Sequence, residues 1–208
     1  VVLDGGHEKT HGPKYGIRLR HYDSDTVKTG TNITVMNCDF LNIFEDKDVT
    51  KDGHAFKIDV DVAAGAVKFE NCFFNGTGYE AIRISDTEKW ATDRALDSLT
   101  VRNCTFTNID AEAVRYYSDL DPSTPDAPVL LEHLTINNSA TRVFYLKNSG
   151  GAIVRDIIIA NSRTSGHGRD SDLMDAQGNV GIPSYVTHID TFNVAPVNIG
   201  AADGEVNR

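Results

Sequence analysis

The sequence predicts an all-β fold: a single-domain right-handed parallel β-helix, or β-solenoid, with long loops between coils. Three observations predict it. One phrase recurs along the chain, each copy alternates apolar and polar residues with period two, and the copies are spaced by a little over thirty residues. Spacings of that size mark repeat architectures, in which each unit buries its apolar face only against its neighbours.

The phrase reads Ile33-Thr34-Val35-Met36-Asn37-Cys38-Asp39-Phe40, then Ala66-Val67-Lys68-Phe69-Glu70-Asn71-Cys72-Phe73-Phe74, then Leu99-Thr100-Val101-Arg102-Asn103-Cys104-Thr105-Phe106. A fourth copy is read at Leu134-Thr135-Ile136-Asn137-Asn138-Ser139 and a fifth at Ala152-Ile153-Val154-Arg155-Asp156-Ile157. Asn37, Asn71 and Asn103 are 34 and 32 residues apart, and Asn138 follows after 35. Val35 and Phe40, Val67 and Phe74, and Val101 and Phe106 are expected to face inward. The alternation slips at Asn-Cys, where one strand bends into the next; a slip of one residue elsewhere would exchange the two faces. The asparagines are predicted to point inward and bond to the copies above and below, since a buried unpaired amide is costly.

A second strand recurs between the copies: Gly16-Ile17-Arg18-Leu19-Arg20, Ala55-Phe56-Lys57-Ile58-Asp59, Ala81-Ile82-Arg83-Ile84-Ser85, Ala113-Val114-Arg115-Tyr116-Tyr117 and Val143-Phe144-Tyr145-Leu146-Lys147. Again every other residue is apolar, which argues strand, and helical repeats of similar period are excluded because helical spacing is missing. Long loops are read at Asp86 to Ser98, Asp119 to Pro128 and Gly166 to Pro183, with a last coil from Tyr185 to Phe192. Residues 1–199 form the β-helix domain in this reading, and 200–208 a tail or linker.

The bulk numbers agree with one folded domain. The chain has 208 residues, of which 40 % are apolar, and no apolar run is long enough to span a bilayer. It opens on Val1-Val2-Leu3-Asp4-Gly5-Gly6, which reads as strand and turn rather than a leader, as in a mature protein or a piece of a longer one. A net charge of −10 argues against nucleic acid or an anionic membrane as a general partner. The three cysteines, Cys38, Cys72 and Cys104, are too few for a disulfide framework and too far apart for a CxxC metal site, so they read as small buried apolar residues.

The Asn-Cys-x-Phe phrases resemble the pectin-lyase-like β-helix superfamily. They are most similar to the β-helix carbohydrate-binding modules of secreted bacterial polysaccharide-degrading systems of the xylanase type. The resemblance covers most of the chain, and its motif is structural. It implies an extracellular or cell-surface location, a covalently attached catalytic domain, no cofactor, and a plant cell-wall polysaccharide such as xylan as the ligand. The superfamily also holds lyases and glycoside hydrolases.

The outward residue of the second strand reads, coil by coil, Arg18, Lys57, Arg83, Arg115, Tyr145. In a parallel stack such residues stand about 4.8 Å apart. Four cations in one file repel one another, which is unexpected on an acidic chain. The next outward column is Arg20, Asp59, Ser85, Tyr117, Lys147. Arg and Lys donate to hydroxyls and carboxylates, and aromatic rings offer flat platforms for sugar rings. The expected carbohydrate-binding residues are therefore Arg18, Arg20, Lys57, Arg83, Arg115, Tyr117, Tyr145 and Lys147, with Trp90 of the first long loop as a wall. The competing reading is that Glu80, Glu112, Asp59 and Asp86 neutralise the column in surface ion pairs, which contribute little.

No catalytic set is complete in the sequence. Gly166-His167-Gly168 matches part of a polygalacturonase-type signature, but the chain has no Asp-Asp pair, so His167 reads as a loop residue. The alternative function is a polysaccharide lyase in which Lys57 and Arg83 act as base and acid in β-elimination of a uronate-containing glycan. Asp170, Asp172 and Asp175, with Asn179, could present oxygen ligands to Ca²⁺, although their spacing does not match an EF-hand loop. Of the sequons at Asn32, Asn75, Asn103 and Asn137, at least that at Asn103 is predicted buried.

Overall fold

The computed structural model describes residues 1–6, 13–19, 27–28, 32–44, 53–58, 62–86, 96–118, 127–149, 151–162, 174–178, 185–194, 199–200 and 206–207. Among them every element is a strand, and no helix is long and apolar enough to cross a membrane. In chain order the strands are β1 Val2–Asp4, β2 Tyr15–Leu19, β3 Val27–Lys28, β4 Ile33–Met36, β5 Asp39–Ile43, β6 His54–Ile58 and β7 Val62–Ala63. Next come β8 Ala66–Glu70, β9 Phe73–Thr77, β10 Ile82–Asp86, β11 Ser98–Arg102, β12 Thr105–Ile109 and β13 Val114–Ser118. The last are β14 Val129–Ser139, β15 Phe144–Ser149, β16 Ala152–Ala160, β17 Met174–Gly178, β18 Tyr185–Phe192, β19 Ile199–Gly200 and β20 Val206–Asn207.

The strand pairs are parallel, and each strand pairs with the equivalent strand of the next repeat. One sheet runs β2-β6-β10-β13-β15-β17-β19. The larger sheet has two arms, β4-β8-β11 and β1-β5-β9-β12, which meet on the long strand β14. The first half of β14 pairs with β11 and its second half with β12. β16 and β18 continue this merged sheet, and β20 adds to β18. The architecture is therefore all-β, built of stacked parallel strands.

Two columns of left-handed residues make the bends. The first is Asn37, Asn71, Asn103, His133, Asp156 and His188, each with φ between 52° and 57°. The second is Asn42, Gly76, Asn108, Asn138, Asn161 and Asn193. Positive φ is costly for most side chains and least so for Gly, Asn and Asp, which explains the recurrence of asparagine. This corrects the inward placement: Asn37, Asn71 and Asn103 are exposed, and so is the sequon at Asn103. Lateral bonding does occur on the outside. Asn71 donates to the Asn37 side chain at 3.3 Å, and in the second column Asn138 donates to Asn108 at 2.8 Å and Asn193 to Asn161 at 2.8 Å. The fourth copy is also corrected, because Asn103 stands opposite His133 whereas Asn138 stands opposite Asn108. The fourth occurrence of the first phrase thus begins at Val129. Replacing Asn138 (φ 62°) by valine should destabilise the fold by about 1–2 kcal/mol, read as a lower urea midpoint, whereas glycine there should cost less.

The inward positions form a continuous core. Phe40, Phe74 and Phe106 stack with centroids 4.9 and 4.7 Å apart, and Ile136 and Ile159 extend the file. Ile82, Ile84, Val114, Tyr116, Phe144 and Leu146 are buried from the other sheet. On the outside of the larger sheet, Glu70, Arg102, Glu132 and Arg155 alternate in sign down one column. Arg102 bonds Glu70, and Arg155 bonds Glu132 at 2.6 Å, so this register is marked by charge as well as by packing.

Candidate functional site

The site is built on β2, β6, β10, β13 and β15. Their registers place Arg18 opposite Lys57, Lys57 opposite Arg83, Arg83 opposite Arg115, and Arg115 opposite Tyr145. These five residues form the single row expected from the alternation, and the register continues to Asp175 on β17. Ser85, Tyr117 and Lys147 occupy the adjacent row by backbone register. Arg20, Asp59, Trp90, His167, Asp170, Asp172 and Asn179 lie outside the described residues, as do the side chains of Asp86, Tyr117, Lys147 and Asp175. Among the described residues no three His, Cys, Asp or Glu side chains gather so as to hold a metal ion.

A second row lies three residues upstream of each member of the first. It reads Tyr15, His54, Glu80, Glu112, Arg142. The sequence reading missed Tyr15 and His54, which open β2 and β6 one residue before the segments in which the alternation was read, and Arg142, which like Glu80 and Glu112 sits at the bend before the strand, where alternation no longer assigns a face. The signal was available in the fixed offset: at every coil the residue three before the stripe is polar or aromatic.

Glu80 is the centre of this arrangement. Its side chain is 0 % exposed, as is that of His54, so it belongs to the interior rather than to the surface pairs that the competing reading anticipated. His54 Nδ1 lies 3.2 Å from both the Glu80 carbonyl and the Glu80 Oε2, and since both are acceptors, Nδ1 carries the proton. Arg115 Nη1 donates to Glu80 Oε1 at 3.0 Å, and Arg83 Nη1 stands 3.7 Å from Oε2. One coil on, Arg142 Nε donates to Glu112 Oε1 at 3.0 Å. The carboxylates therefore lie beneath the guanidinium groups and fix their directions.

Aromatic rings complete the layer. Tyr15 stacks on His54 at 5.8 Å between centroids, and Tyr79 meets His54 edge-on at 5.5 Å. Arg18 and Lys57 stand 4.5 and 5.4 Å from the Tyr15 ring centre. Arg115 and Arg142 stand 5.1 and 3.9 Å from that of Tyr145. Such contacts are worth most where water is excluded. The Arg83 and Arg115 side chains each keep 23 % exposure, so the row still presents cations to solvent above buried partners. The buried Arg115 Nε makes no hydrogen bond.

The two carboxylates titrate in opposite directions. Burial raises Glu80, but the hydrogen bond and electrostatic pull of His54, with the charges of Arg83 and Arg115, outweigh it and hold the carboxyl below its ordinary value. Burial, and then the charge of Glu80, push Glu112 above its ordinary value despite Arg142. Burial and the charge of Glu80 also raise Tyr79, which leaves it a neutral hydroxyl rather than a base. The arrangement can hold a row of guanidinium donors and aromatic faces in fixed positions; Glu80, fully buried, is walled off from any ligand. Comparison with protein-family models, with curated proteins and with solved structures found no match to this chain.

Proposed function

We propose that this chain is a non-catalytic carbohydrate-binding module that holds an extended polysaccharide along the outer face of β2, β6, β10, β13 and β15. The observation that carries the reading is the in-register row of Arg18, Lys57, Arg83, Arg115 and Tyr145 above a layer of buried carboxylates. Buried ion pairs cost desolvation and are weak evidence of stabilisation, so their retention beneath an exposed donor row favours positioning of that row. A row at strand spacing offers a linear polymer equivalent contacts at each step. In this reading the coils wind right-handed, as parallel strand connections overwhelmingly do. The likeness to pectin-lyase-like modules adds a secreted protein, an attached catalytic domain and xylan as the first ligand to try.

The test is retention on affinity gels cast with xylan, polygalacturonate or alginate. Wild type should be retarded by at least one polymer, with Arg83→Ala and Tyr145→Ala each weakening retention about tenfold or more, the loss expected of a charge-assisted or ring contact. Equal migration of all three proteins in every gel would sink the proposal. The alternative, β-elimination by Lys57 and Arg83, is favoured only by their adjacency in register. Growth of the unsaturated-uronate absorbance with wild type, lost in Lys57→Ala, would replace the first reading by the second.

A further inference from the structure

The three cysteines stand one above another. Cys38, Cys72 and Cys104 each follow a left-handed asparagine of the first bend. The Phe73 amide donates to the Cys38 carbonyl at 2.9 Å and the Thr105 amide to the Cys72 carbonyl at 3.0 Å, so the cysteines lie in register on successive turns. In-register strands are about 4.8 Å apart, inside the window of roughly 4.4–6.8 Å between Cα atoms that a disulfide needs. Exposure falls along the stack: Cys38 is half-buried, whereas Cys72 and Cys104 are 3 % and 1 % exposed. Each thiol donates to a main-chain carbonyl: Cys38 Sγ to Met36 at 3.2 Å, Cys72 Sγ to Glu70 at 3.4 Å and Cys104 Sγ to Arg102 at 3.2 Å. The neighbouring Cys104 draws the Cys72 thiol down to about 6, while Cys72 and burial push Cys104 up.

We propose that Cys38 and Cys72 are a dithiol modification site for small disulfide oxidants: Cys38 is the thiol of the stack that solvent reaches, and Cys72 stands in register on the next turn. Attack by the Cys38 thiolate on oxidised glutathione forms a Cys38–glutathione disulfide and releases one glutathione thiolate, which takes up a proton. Attack by the Cys72 thiolate on the Cys38 sulfur then forms the Cys38–Cys72 disulfide and expels the second glutathione. Two protein thiols are oxidised, one external disulfide is reduced to two thiols, and Cys104 remains a thiol. The product staples two successive turns of the stack at the first bend.

The experiment is incubation of the folded chain with oxidised glutathione at pH 7, followed by alkylation and peptide mapping without reduction. Wild type should yield a Cys38–Cys72 link with Cys104 alkylated, reversed by a dithiol reductant. Cys72→Ser should stop at a Cys38–glutathione adduct, and Cys104→Ala should still form the Cys38–Cys72 link. Three alkylated thiols in wild type, under conditions that oxidise the urea-unfolded chain, would overturn the proposal. So would a Cys72–Cys104 link formed at the same rate in Cys38→Ser. Circular dichroism of each variant establishes that it is folded before its mapping is read.

Discussion

Glu80→Gln should lower the stability of the fold by about 3 kcal/mol at pH 7, the low end of the cost of removing one member of a buried ion pair. The substitution leaves Arg115, Arg83 and His54 around a neutral amide. The carboxylate faces cations with both oxygens: Arg115 Nη1 lies 3.0 Å from Oε1, and Arg83 Nη1 lies 3.7 Å from Oε2. An amide has one oxygen, so whichever way it lies its NH2 group faces one guanidinium group. His54 Nδ1 keeps the main-chain carbonyl of residue 80 at 3.2 Å, and the loss falls on the guanidinium groups, whose buried countercharge is gone. The urea midpoint is the measurement, with the slope of the transition unchanged if the folded and unfolded states keep their areas. A shift under about 0.5 kcal/mol, the range of ordinary surface substitutions, would show that the layer is not held through Glu80.

The pH dependence carries its own sign. Glu80 is held below its ordinary value of 4.5, so its contribution is fully present above that pH and is lost as pH falls through the folded-state value. Glu112 is held above 4.5, so the folded state keeps a proton that the unfolded chain releases, and this residue costs stability as pH rises past 4.5. Glu112→Gln serves as the control for Glu80→Gln. Its amide oxygen can still accept from Arg142, the cost of ionising a buried carboxyl disappears, and stability at pH 7 should change by less than about 1 kcal/mol. Glu80→Gln should flatten the acid limb of the stability profile, whereas Glu112→Gln should leave that limb in place.

Period two was enough to find the strands and the outward row, because a strand with one buried face has no freedom to choose which residues face out. Arg18, Lys57, Arg83, Arg115 and Tyr145 were therefore legible from sequence, even though Arg115 and Tyr145 are separated by a long connection. What period two could not give was the chemistry at the bends. Asn37, Asn71 and Asn103 recur because they adopt positive φ, not because they fill the core, and sequence repetition alone does not distinguish the two causes. Both bends use asparagine, which is why Asn138 was matched to the wrong column. The same blindness hid Arg142 and left Glu112 read only as a surface ion-pair partner; both sit at the bend before the strand, where the backbone turn rather than alternation sets the face. His54 was missed because it opens β6 one residue before the segment in which the alternation was read.

Phe74→Ala should cost about 4 kcal/mol or more, toward the top of the range for truncation of a core phenylalanine. Phe74 is fully buried, stacked between Phe40 at 4.9 Å and Phe106 at 4.7 Å, with Phe69 edge-on at 6.2 Å. Truncation removes the ring's own burial and also two face contacts, each worth about 0.5–1.5 kcal/mol beyond area. The cavity cannot be filled by sliding one turn, because the neighbouring strands are held in register by backbone bonds on both sides. Phe40→Ala should cost about 1 kcal/mol less, since Phe40 has a ring on one side only and the half-buried Leu3 on the other. Stability in a stacked repeat is a sum of intrinsic terms and nearest-neighbour interfaces, and the order Phe74 above Phe40 follows from counting those interfaces. Urea midpoints for the two variants measure the difference. A cost for Phe40→Ala equal to or larger than that for Phe74→Ala would mean that the first turn, and not the centre of the phenylalanine file, holds the stack together.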